Sequence, residues 1–170
     1  MFIINNWTAV IYNDDTGEIA MEIEQVRQTA TEFEKEQIFL FERGIPGFEE
    51  HTRFSLLPLT DTPFSYLQSL QESEVALLVT DPFLFFPNYE FDLPEGVVEE
   101  LDLGSSIVIR CIVTLKKDVK QSTINLLGPV IFNLDNRLAK QVILHSTDYH
   151  PRHLLFPAES SLLSPHKEGE

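Results

Sequence analysis

The sequence predicts an all-β fold, a strongly twisted antiparallel sheet closing into a small barrel-like domain, with one short helix near residues 94–101. Three observations carry this expectation. Ile107 through Leu115 is rich in β-branched residues; one parity (107, 109, 111, 113, 115) is wholly apolar, while the other carries Arg110 and Thr114. Val130–Leu134 and Arg137–Leu144 flank Asp135-Asn136, a pair that tolerates the positive φ angles of a two-residue hairpin turn. Proline and glycine break the chain at short intervals, at Gly44, Pro46-Gly47, Pro58, Pro63, Pro82, Pro87 and Gly128-Pro129, which favours many short strands.

In chain order, Ala9–Tyr12 could form a short strand before the turn-forming run Asn13-Asp14-Asp15-Thr16-Gly17. Ile38–Phe41, Arg53–Leu57, Phe64–Leu70 and Val75–Val79 are further strand candidates. The helix begins with Pro94 near its first position, where the missing N–H costs nothing, and Val97, Val98 and Leu101 are expected on one face. Residues 151–170 show no sustained period and are expected to form a flexible tail. The expected organisation is an N-terminal extension over 1–20, one domain over 21–150, and the tail.

With 170 residues and 43% hydrophobic content, the chain suits one domain that buries a core without disulfides or metal. Thirteen Phe against one Trp imply a core built on Phe. The single cysteine, Cys111, cannot form an internal disulfide and fits a reducing compartment. Met1–Trp7 lacks the basic start and apolar run of a signal peptide, and no apolar stretch approaches the roughly 18 residues that span a bilayer. A soluble, cytoplasmic protein is expected.

Charge is the most informative bulk property. Twenty-seven acids against twelve bases give −15, and the distribution is lopsided. Residues 1–109 hold 21 acids and only Arg27, Lys35, Arg43 and Arg53; residues 110–170 hold six acids and eight bases. Such a field repels nucleic acid phosphates and anionic membranes, and attracts basic proteins.

No catalytic constellation is present. The sequence lacks a G-x-S-x-G elbow, a phosphate-cradling glycine loop and H-E-x-x-H. Cys111, mid-strand on the apolar parity, reads as a buried inert thiol. His145, His150 and His153 could ligate zinc, or could simply belong to a solvated chain end; no cysteine accompanies them. No catalytic, cofactor-binding or metal-binding residue is assigned.

The most unusual segment is Asp81–Asp92, which sets five aromatic residues and three acids among prolines with no basic residue. Burial in the core is one role for the rings. Yet a proline-interrupted segment cannot pair throughout as a central strand, so some rings should lie at an edge beside carboxylates. An acid-rimmed aromatic patch suits a partner with apolar and basic side chains. The candidate partner-binding residues are Glu72, Glu74, Asp81, Phe83, Phe85, Tyr89, Glu90 and Asp92.

Motifs running in order over roughly residues 21–150 complete the reading. Phe39-Leu40-Phe41-Glu42-Arg43-Gly44-Ile45-Pro46-Gly47-Phe48-Glu49 resembles the F-P-x-G-I-P-G-F-E motif of the FliW family. Phe54–Leu59 follows. Pro63-Phe64-Ser65-Tyr66-Leu67-Gln68-Ser69 is similar to its P-F-x-x-L-Q-S, and Val79-Thr80-Asp81-Pro82-Phe83 with Phe86-Pro87-Asn88-Tyr89 to its V-T-D-P-F and F-P-D-Y. Asn125–Val130 and Lys140–Leu144 end the series. Glu42 replaces a usual proline and Asn88 a usual aspartate, and the family's chains normally begin near Met21. The resemblance implies a flagellar assembly factor that binds flagellin in the cytoplasm; a monomer that is not an enzyme is expected. The resemblance further implies capture of CsrA, a basic translational regulator, which relieves repression of flagellin translation. The alternatives are a chaperone for flagellin alone, or a metal-dependent hydrolase using the histidine-rich end or Asp81. Deleting residues 1–20 is expected to lower the melting temperature by less than about 10 °C; a larger loss would place Ala9–Tyr12 in the sheet.

Overall fold

The computed structural model describes residues 38–145 and 147–157, so the predicted strand Ala9–Tyr12 lies outside the described residues. The described chain is mostly β. Its strands are β1 (Ile38–Leu40), β2 (Arg53–Pro58), β3 (Phe64–Ser69), β4 (Ala76–Thr80), β5 (Ile107–Thr114), β6 (Thr123–Ile124), β7 (Val130–Asn133), β8 (Ala139–Gln141) and β9 (His153–Leu154). A 3-10 turn, Pro82–Leu84, and the helix α1, Glu95–Glu100, connect β4 to β5; a second 3-10 turn, Val119–Gln121, precedes β6. Every strand pair is antiparallel.

The first five strands form a meander, β1-β2-β3-β4-β5, and the sheet then branches. Ile107–Arg110 of β5 pair with β7, Cys111 and Ile112 with β4, and Val113 and Thr114 with β6. β8 continues from β7, and β9 from β6. β5 therefore meets strands on both sides, and Cys111, Ile112 and Val113 are all buried. The expected single apolar parity fails at Cys111–Val113, where successive side chains point to opposite faces and both faces are covered; Ile107 at the strand's start is 36% exposed.

The predicted barrel does not close. β1 is three residues long, and the chain turns away after it. One backbone bond from Leu40 N–H to Arg137 O (2.8 Å) accompanies a lone parallel bridge between Leu40 and Leu138, with no ladder beyond it. Gly44 fixes the turn that ends the contact: its φ is +66°, and a Cβ there would stand 2.5 Å from Phe48 O. Only glycine fits.

Phenylalanine does not dominate the described core as the composition implied, since buried leucines and valines outnumber it, but four Phe rings form its bulkiest group. Phe39, Phe41, Phe54 and Phe132 are buried, and their rings meet edge to face at 4.9–6.0 Å. Each buried ring contributes roughly 2–3 kcal/mol by area, plus a smaller aromatic-pair term. A second cluster joins Val97 and Leu101, from α1 and its end, to Ile131, Val142 and Leu144. Val98, expected on the same face, is instead 38% exposed, because a six-residue helix turns only one narrow stripe inward.

Two other sequence expectations need correction. The β7–β8 hairpin forms, but its loop is wider than Asp135-Asn136. Asn133 O accepts from Arg137 N–H (3.0 Å), and the positive φ falls on Arg137 (64°). The asparagines are otherwise engaged: Asn133 Nδ2 and Asn136 Nδ2 both donate to Leu101 O, at 3.0 and 2.9 Å, tying the loop to the end of α1. The expected tail also does not begin at 151. His153 and Leu154 pair with Ile124 and Thr123, and Leu155 N–H donates to Ser122 O (2.8 Å). A two-residue strand is too short to display a period. Leu155 is 0% exposed, so Leu155→Ala should lower unfolding free energy by about 2–4 kcal/mol in urea titration. A loss near zero would mean that 153–155 is not packed on the domain.

Candidate partner-binding surface

The segment after β4 owes its shape to Asp81 and Pro82. The Asp81 carboxylate accepts from Phe83 N–H (2.9 Å), capping the 3-10 turn, while Pro82 presets the next φ. Asp81 Oδ2 also lies 3.9 Å from Arg110 Nη1 of β5. Burial lowers the Arg110 pKa and the Asp81 charge opposes that shift, so the pair is held together at the base of the segment.

The five aromatic rings divide between packing and exposure. Phe85 stacks on Phe64 (6.2 Å) and meets Phe156 edge-on (5.7 Å); Phe86 meets the His153 ring at 6.3 Å. Tyr89 contacts Phe83 (5.8 Å), Phe91 (5.1 Å) and Tyr149 (4.8 Å). Phe83 remains 41% exposed and Leu84 64%. Tyr89, by contrast, is an interior residue: its hydroxyl donates to Leu126 O (2.7 Å) and lies beside the Cys111 thiol. Burial first, then the neighbouring thiol, pushes the Tyr89 pKa up. It serves the surface only by holding the segment down.

Glu90 and Asp92 are exposed. Glu90 N–H donates to the Tyr149 hydroxyl (3.1 Å), and the two carboxylates border a groove lined by Phe91, Pro94, Ile143 and Leu144 together with His145 and Thr147. Glu72 and Glu74 are exposed as well but belong elsewhere. They sit on the β3–β4 turn, at the opposite end of β4 from Asp81. Five strand residues separate the two ends by roughly 16 Å. Glu72 faces His51 Nε2 at 3.7 Å, and the other ring nitrogen, Nδ1, bonds Ser69 Oγ (2.8 Å). Gln71 and Gln68 wire the same turn: the Gln71 oxygen accepts from Thr52 N–H (2.7 Å) and its nitrogen donates to Glu50 O (2.7 Å), while Gln68 Nε2 donates to Val75 O (3.1 Å). The eight candidate residues thus form two groups and one buried anchor.

Sequence reasoning missed Tyr149, at the end of the expected domain, and His153 and Phe156, from the stretch taken for a tail, which together complete the ring cluster. Their aromatic character was the available signal. His150 N–H donates to His153 Nε2 (2.9 Å) and the two rings stack at 3.6 Å; burial, and then His150, hold the His153 imidazole below the usual histidine range. Among the described residues no three His, Cys, Asp or Glu side chains group closely enough to hold a metal. No described helix is long and apolar enough to cross a membrane.

Cys111 is 0% exposed, and burial pushes its pKa up to about 12. At pH 8 about one thiol in ten thousand is ionised, so the native chain should resist a thiolate-seeking disulfide reagent and react fully once unfolded. Rapid modification of the folded protein at pH 8 would contradict this burial.

The family model described as FliW protein matches residues 22–155. The flagellar assembly factor FliW of Bacillus subtilis (strain 168) is 47% identical over 122 residues, covering 70% of this chain and 85% of that protein. The protein of the same name from Bacillus pumilus (strain SAFR-032) is 45% identical over 129 residues, covering 74% and 90%. A solved crystal structure of the flagellar assembly factor FliW superposes with a TM-score of 0.71 at 38% identity, covering 75% of this chain and 92% of that one.

Proposed function

The chain belongs to the FliW family of flagellar assembly factors, and from that premise we propose that it binds flagellin in the cytoplasm and captures a CsrA-type regulator, relieving repression of flagellin translation. In this reading accumulating flagellin draws the protein away from the regulator, so synthesis of flagellin is coupled to its use. The protein acts as a monomer, through binding and not through catalysis.

The observation that supports the reading best is one of charge. Residues 54–109 contain ten carboxylates and no Lys or Arg. Within that stretch Glu90 and Asp92 flank a groove of mixed polar and apolar lining, and Glu95, Glu99 and Asp102 are exposed on and just after α1. A basic RNA-binding protein meets an attractive field there, while RNA phosphates are repelled. Phe91, Pro94, Ile143 and Leu144 within the groove offer apolar contact beside the charges.

Binding to an immobilised chain tests this directly. The regulator should bind, excess flagellin should release it, and the association rate should fall clearly between roughly 50 and 500 mM salt, because exposed charges are screened over about 8 Å at physiological ionic strength. Glu90→Gln with Asp92→Asn should slow association more than Glu72→Gln with Glu74→Gln, each pair costing at most about 1–2 kcal/mol. Capture of flagellin with no capture of the regulator would favour a chaperone for flagellin alone. Equal effects of the two pairs would reduce the acidic surface to net charge without a defined site.

A further inference from the structure

The lopsided charge of the sequence has a second consequence. Residues 110–157 carry seven Lys or Arg against Asp118, Asp135 and Asp148. Three of the seven, Lys116, Lys117 and Lys120, fall within five residues between β5 and β6, and all three are exposed. None forms an ion pair among the described residues. The single carboxylate of the turn is committed to its own loop: Asp118 Oδ1 accepts from Lys120 N–H and Oδ2 from Gln121 Nε2, each at 3.1 Å. A protein with 15 excess negative charges does not need uncompensated lysines for solubility.

An apolar strip begins at the same turn. Val119 is 55% exposed. The turn is fastened to β9 by Ser122, whose Oγ accepts from Lys116 N–H (3.0 Å) and whose carbonyl accepts from Leu155 N–H (2.8 Å). Leu155 points inward, so Leu154 and Phe156 share the opposite, outer side, at 50% and 41% exposure. Phe156 meets Phe85 at 5.7 Å, and Leu84 beside it is 64% exposed. Exposed apolar strips with a polar border mark interaction surfaces more often than bare monomer surface.

We propose that the lysine turn with Val119, Leu154 and Phe156 is a docking surface for an acidic amphipathic segment, one that sets aliphatic or aromatic side chains beside carboxylates. Charge complementarity selects this occupant. Three unpaired ammonium groups attract its carboxylates, and the carboxylate-rich surface of residues 54–109 repels it. The partner is chemically distinct from the basic protein that suits the acidic surface, so the two surfaces answer to different ligands.

The test uses the full chain and a fluorescein-labelled 16-residue peptide with Leu and Phe on one helical face and Glu on the other. Fluorescence anisotropy should show saturable binding to the unaltered chain. Lys116→Glu, Lys117→Glu and Lys120→Glu together should weaken it about tenfold or more, and Leu154→Ser with Phe156→Ser should do the same. Reversing Arg43 and Arg53 (Arg43→Glu, Arg53→Glu) lowers net charge elsewhere and should change binding by no more than about twofold. Should the double serine variant fail to fold, the lysine variant decides alone, since its three side chains are exposed on a turn. Absence of saturable binding, or equal weakening by the lysine and arginine reversals, would overturn the proposal.

Discussion

Everything in this domain is arranged around the need to pair the backbone of β5. Its central residues, Cys111 to Val113, are wholly enclosed, and an unpaired amide or carbonyl there would cost roughly as much as a lost hydrogen bond with no water to repair it. No single neighbour serves the strand's whole length. β7 covers its first half, β4 its centre and β6 its end, and Asn125 N–H supplies one more bond to Ile112 O (2.9 Å). Once β5 is placed, the meander on one side and the two short branches on the other have little freedom. The branches then decide what lies beside the aromatic segment that follows β4.

That dependence explains what could be read in the sequence. Strands β2, β3 and β4 were legible to within a residue or so at each end, because turn residues bound each run. Composition pointed to Phe in the core, where four rings are buried, but not to the larger share held by Leu and Val. The open sheet was not, since closure turned on one bridge between Leu40 and Leu138, nearly a hundred positions apart. The width of the β7–β8 loop was hidden for a similar reason: its asparagines answer to Leu101, on a different element.

The candidate surface divides along the same line. Asp81 is set by a local bond, since its partner, Phe83 N–H, is two residues away. Tyr89 was placed at the surface because its partner, Leu126 O, is 37 residues away and leaves no local trace. Glu72 and Glu74 were grouped with the aromatic segment by nearness in sequence, and an extended strand is the element that converts nearness in sequence into distance in space. What local chemistry settles, the sequence displays; what a distant carbonyl settles, it does not.

The meeting of Leu40 with Leu138 gives the sheet a mechanical character. A barrel closed by a full ladder resists shear, because every rung must break together. Here the backbones of the two margins meet at one bridge, and a single such hydrogen bond is worth about 1 kcal/mol net. The sheet is therefore an open ribbon with a seam, joined beneath the bridge by side chains: Phe39 packs on Phe132 (4.9 Å), and the Arg137 guanidinium lies over the Phe39 ring (5.5 Å). Leu40, Leu138 and Ala139 lie along it, with the rigid Gly44 turn as one bank. The margins are held by rings more than by backbone, so parting them would mean unpacking the core.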